Sequence, residues 1–133
     1  MIRFLEKLRE VEGISIVNSI DLYISNVEGD ELIDYIFFDF DFKSFAIEVD
    51  SSGESIAFIN KDELVENIRR CNLTYKILPL IDTPSLFKKI KSFYSDWEEL
   101  NKLAFEIGEK EIIIKLGVDS FVVKCNEPDS ADL

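Results

Sequence analysis

The chain contains no histidine. Without imidazole, Ser–His and Cys–His nucleophile pairs have no base, and neither the H-E-x-x-H zinc motif nor a mixed Cys/His zinc site is possible. Cysteine is nearly as scarce. Cys71 and Cys125 are the only two, too few for a four-thiolate site. Each falls in an apolar-periodic stretch, so both are expected to be reduced, buried small side chains. The five glycines, at positions 13, 29, 53, 108 and 117, are isolated. Neither a G-x-G-x-x-G turn nor a P-loop can be written from them, so common nucleotide cofactors lack their usual cradle and no cofactor is expected. Three prolines leave few forced breaks, which favours long elements and short loops. No apolar run approaches the ~18 residues of a membrane-spanning helix. The first ten residues mix Arg3, Glu6, Lys7, Arg9 and Glu10 into their apolar set, unlike a secretory leader, and a cytoplasmic location is expected.

Positive charge is the remaining deficit. Fifteen Lys and Arg stand against 27 Asp and Glu, a net of −12. Such a field repels phosphate backbones and anionic membrane surfaces, so neither nucleic acid nor membrane is an expected partner. It attracts a basic protein and speeds its approach. Solubility alone produces the same composition, so charge gives a direction and no identity.

What is present is apolar bulk. In 133 residues, 47% are hydrophobic and eleven are Phe, enough for one well-filled core. A single domain over residues 1–126 is expected, followed by a flexible acidic tail at 127–133. Ile2, Leu5, Leu8 and Val11 repeat at helical spacing before Gly13, and Asn60 with Glu63 spells a capping box ahead of Leu64, Val65, Ile68 and Cys71. Thr83-Pro84 precedes Leu86, Phe87, Ile90, Phe93 and Tyr94, which also reads as a helix start. Strand patterns cover 14–25, 32–42, 44–50, 54–60, 102–107, 111–116 and 121–125, while 73–82 reads as an edge strand or extended linker because of Pro79. The blocks 34–60 and 101–126 look alike, as two β-meanders each preceded by a helix. The expected fold is α+β: a mainly antiparallel sheet of six to seven strands with two to three helices packed on it.

Chemistry in such a chain falls to carboxylates. Asp39 and Asp41 sit two apart on one strand, as do Glu48 and Asp50 on the next, and a hairpin would bring them near one another. Asp39-x-Asp41 opens like a calcium loop, but Lys43 and Ser44 stand where a ligand and a glycine belong. Asp41-Phe42-Lys43 with Asp21 or Asp34 matches a common metal-nuclease pattern, against which the net charge argues. No metal or catalytic residue is therefore assigned, and the chain is expected not to be an enzyme. Tyr35 and Phe37 share a face with Asp39, Asp41, Glu48 and Asp50. An aromatic patch ringed by acids suits a basic partner protein, unless a helix covers the rings. The functional expectation is a small acidic binding domain, monomeric or homodimeric. An immunity or antitoxin-like inhibitor that neutralises a basic toxin domain is its leading form. The alternatives are a metal-dependent hydrolase and an accessory subunit of a complex.

Overall fold

The computed structural model describes residues 2–126; the segment 127–133, expected to be a flexible tail, lies outside the described residues. Among the described residues two short helices, α1 (Ile2–Glu10) and α2 (Lys61–Arg70), accompany nine strands: β1 (Ile16–Val27), β2 (Asp30–Phe40), β3 (Ser44–Val49), β4 (Ile56–Asn60), β5 (Tyr75–Ile81), β6 (Ser85–Tyr94), β7 (Leu100–Ile107), β8 (Lys110–Leu116) and β9 (Phe121–Asn126). All pair antiparallel. β1, β2, β9, β8, β7 and β6 close into a six-strand barrel, with β3–β4 continuing outward from β2 and β5 flanking β1. With 58% of the chain in strands and 15% in helix, the fold is a β-barrel with appendages. The expected α+β sheet with packed helices is overturned, and nine strands replace six or seven.

The closure is thin. β1 meets β6 at Ile16↔Leu86 and Val17↔Ser85, and β2 meets β9 at Ile33↔Phe121 alone. Beyond those points β1 pairs with β5 and β2 with β3. The two meanders thus belong to one continuous sheet, and the second is preceded by a strand.

That strand, β6, departs furthest from the sequence pattern, which predicts a helix there. Phe87 and Ile90 are both buried, three residues apart, a spacing that mimics a helix. A bulge causes it: Phe87 pairs with Ile107 but Lys89 pairs with Glu106, so β6 holds one residue more than its partner. An extra residue swings the next side chain back to the same face. The bulge coincides with a backbone donor that β1 no longer reaches, and the Glu12 carboxylate accepts from the Ile90 N–H at 2.8 Å. Thr83-Pro84 is the turn at which the chain leaves β5 for β6.

Other local expectations hold. Gly13 follows α1 with φ +75°, the left-handed conformation that glycine adopts without strain. Pro79 lies on the edge strand β5. At α2 both halves of the capping box form: the Asn60 side chain accepts from the Glu63 N–H at 2.8 Å and the Asn60 N–H donates to Glu63 at 3.4 Å. Asn60→Ala is expected to cost about 1 kcal/mol, read as a lower urea midpoint at unchanged slope. The cysteines depart from expectation: Cys71 is half-buried and Cys125 is exposed on β9.

The barrel interior is aromatic and aliphatic. Phe38, Phe45, Phe87 and Phe105 are fully buried with Ile20, Ile36, Ile47, Ile56, Leu103, Ile107 and Ile112. α1 buries Leu5 and Leu8 against this core, and its Phe4 stacks on Phe58 at 4.9 Å and meets Phe45 edge-on at 4.7 Å. α2 packs on the opposite, outer surface of the β1–β4 sheet. Leu64 joins Ala46 and Ile59 there in a second small cluster, lined by Tyr23, Tyr35, Phe37 and Ile68.

Candidate functional site

Strand alternation and register decide which side chains share the outer surface beside α2. Ile77, Tyr23, Tyr35 and Glu48 run across β5, β1, β2 and β3 in one row; Pro79, Asp21, Phe37 and Ala46 form the next. α2 covers the β2–β4 end of both rows. The β1–β5 end is open: Ile77 is 52% exposed, Pro79 is exposed, and Tyr23, Asp21 and Asp39 are half-buried. β5 is also a sheet edge, with Leu78 exposed on it.

Most of the perturbed titratable groups lie on this surface. Burial raises the Asp21 carboxyl above the ordinary aspartate range, and the nearby Asp39 charge raises it further. Burial likewise raises Tyr23, with Asp21 adding to it, and Tyr35, with Glu48 next in effect. Glu48 is raised by burial and by Glu63, partly offset by the Asn67 amide, which donates to it at 3.3 Å. Tyr75 is pushed furthest up, first by burial. Its hydroxyl donates to Asp34 at 3.1 Å and lies 3.8 Å from the Cys71 sulfur, so deprotonation would set an anion beside a carboxylate. Tyr75 packs on Tyr23 and Tyr35 at 6.3 and 5.9 Å, which completes a three-tyrosine cluster. Groups perturbed together on one surface mark a functional candidate.

Asp21 is the most exposed to explanation. Among the described residues no cation and no hydrogen-bond donor reaches its carboxylate; the three ion pairs are Arg69–Glu66, Arg70–Glu66 and Lys76–Glu31. A half-buried anion facing another anion is a standing cost. Asp21→Asn is expected to stabilise the isolated chain by roughly 0.2–1 kcal/mol, the range for relieving like charges across a sheet; thermal unfolding at neutral pH reads it.

The six residues expected to form the partner surface divide. Tyr35 and Phe37 are half-buried beneath α2, so the rings are covered. Asp39 stays on the open strip, accepting from the Ser44 hydroxyl at 2.8 Å. Glu48 reaches the strip's edge and is bound to α2 through Asn67. Asp41 turns back to the Ser15 hydroxyl. Asp50 staples the following turn, accepting from the Ser52 hydroxyl at 2.5 Å, from the Ser55 hydroxyl and from the Ser52 N–H at 3.0 Å, and these bonds, the two hydroxyls first, hold it below the usual aspartate range. The acids do not converge. Asp39 pairs with Ser44 and Glu48 with Tyr35, four strand positions and about 13 Å apart. No cluster of three or more acids or thiols suited to a metal occurs among the described residues.

The sequence pattern does not single out Tyr23, Tyr75 or Ile77, and it marks Asp21 and Asp34 only as candidate metal ligands. Alternation in β1 does place Asp21 and Tyr23 on one face, but no local pattern shows that β5 comes to lie beside them. Comparison with protein-family models, with curated proteins and with solved structures finds no match for this chain, so its surface chemistry alone carries the functional reading.

Proposed function

We propose that this protein is a binding domain that holds a basic partner protein against the open strip between α2 and β5. Asp21 carries the reading. It is half-buried, uncompensated and faced by Asp39, so the free protein bears a cost that an incoming Lys or Arg would relieve. Ile77 and Pro79 supply the apolar contact beside it, and the exposed Glu63, close enough to raise Glu48, supplies part of a rim. Residues 1–75, which build the β1–β4 sheet and α2, hold 16 acidic against 7 basic side chains, so the attraction is concentrated on this half. An inhibitor of the immunity or antitoxin type, which neutralises a basic toxin domain by covering it, is the form of this function that such a surface fits.

The test compares the wild-type protein with Asp21→Asn and Asp39→Asn as baits in extracts of the source cell, followed by titration of each captured protein. A partner held here loses about 2 kcal/mol or more of affinity on loss of either carboxylate, while the Asp21→Asn bait is at least as stable as wild type. Equal retention of every captured protein by all three baits would exclude this surface as the interface.

A further inference from the structure

A second surface lies where α1 meets the β2–β3 turn. A cavity of about 280 Å³ there is lined by Arg3, Phe4, Lys7, Phe42 and Lys43. Three cations converge on it, and among the described residues no carboxylate lines it. Among the described residues none of the three forms an ion pair. The acid nearest in sequence on the β2–β3 turn, Asp41, is occupied by the Ser15 hydroxyl. Lys43 lies over the Phe4 ring, 5.2 Å from its centroid, and Phe42 leaves 39% of its surface exposed. Gathering three uncompensated cations is opposed by their mutual repulsion, and in a chain of net −12 acids to neutralise them are plentiful. The larger cavity, about 440 Å³ beside the exposed Trp97, differs in this respect: it contains Lys102 and Lys115 but also Glu54 and Glu99.

We propose that the Arg3–Lys7–Lys43 cavity binds a phosphate monoester carried on a planar ring, as in a nucleoside monophosphate. The dianionic phosphate answers the three cations. Arg3 offers a planar fork of donors suited to two phosphate oxygens, and the lysines act as mobile point charges. The exposed Phe42 ring gives the planar group a stacking surface. The volume suits a small molecule, and the overall negative field disfavours a polymer of phosphates. This site is independent of the strip around Asp21, which faces outward beside α2.

Calorimetry and amide chemical-shift mapping at low salt, with adenosine monophosphate, inorganic phosphate and adenosine as separate probes, test it. The monophosphate is expected to bind most tightly, with shifts confined to residues 3–7 and 42–44. Lys7→Gln and Lys43→Gln are each expected to weaken it by about fivefold or more, whereas Lys88→Gln with Lys89→Gln, on the exposed face of β6, leaves it unchanged. The proposal is overturned by absence of binding at millimolar monophosphate, by equal affinity for inorganic phosphate or adenosine, or by undiminished binding in the Lys43→Gln protein. Shifts spread evenly over the β6 lysines overturn it as well.

Discussion

Phe38→Ala is expected to destabilise the protein by about 3–5 kcal/mol, a large fraction of the roughly 5–15 kcal/mol that holds a domain folded. Phe38 is fully buried on β2, where its ring stacks on Phe45 of β3 at 4.9 Å and meets Phe105 of β7 at 5.0 Å. It therefore joins the β1–β5 side of the core to the β6–β9 side, and truncation opens a void between rings with little freedom to collapse into it. Phe42→Ala, at a ring 39% exposed, serves as the control and should cost about 1 kcal/mol or less. Urea unfolding followed by far-ultraviolet dichroism measures both. Equal, small losses would mean that the barrel is not held by this aromatic stack.

Alkaline pH should act with comparable force through the tyrosine cluster. Tyr23, Tyr35 and Tyr75 all have folded-state pKa values above the ordinary value of 10.0, with burial the largest cause for each. A group raised in the folded state contributes stability that is complete below its unfolded pKa and is lost as pH rises toward the folded one. The loss therefore begins near pH 10. Three tyrosines at about 1.4 kcal/mol per pH unit bound the effect at about 4 kcal/mol by pH 11; partial solvent access lowers the expected loss to about 2 kcal/mol. Urea midpoints at pH 9 and pH 11 test this, together with the ultraviolet band of tyrosinate, which should appear largely with unfolding. Tyr75→Phe should flatten the dependence by about a third, and an unchanged midpoint across that range would count against a buried cluster. At the acid end Asp21 and Glu48, also raised, favour the folded chain below the ordinary carboxylate range and lose that contribution as pH rises through it. Asp50, lowered by its turn hydrogen bonds, works in the opposite sense.

Much of the local structure was legible because its cause is local. The helix ending at Gly13, the capping box at Asn60 and the alternation of Ile36, Phe38 and Phe40 each depend on residues a few positions apart. The barrel was not legible, because closure depends on pairings between distant segments: Val17 with Ser85 and Ile33 with Phe121. The β6 bulge imitates a helical repeat so closely that Phe87 and Ile90 could be separated from a helix only by knowing that Ile107 and Phe105 lie opposite. The candidate site shows the same division. Alternation placed Asp39 and Glu48 on one face. It could not show that α2 folds back over Tyr35 and Phe37, nor that β5 brings Ile77 and Tyr75 beside Tyr23.

The sparse joints between β1 and β6 and between β2 and β9 have a mechanical consequence. Loads on this molecule, thermal or applied, will concentrate where three ladder pairs and the two main-chain bonds linking Phe87 to Gly13 and Ser15 do the work of two full ladders. The amides of Ile33 and Phe121 should exchange with solvent well before those at the centre of the β1–β2 hairpin. Once these seams part, the β6–β9 leaf swings on the Asp82-Thr83-Pro84 connection and bares two unpaired edges. Exposed edges of this kind are where a neighbouring chain pairs most readily.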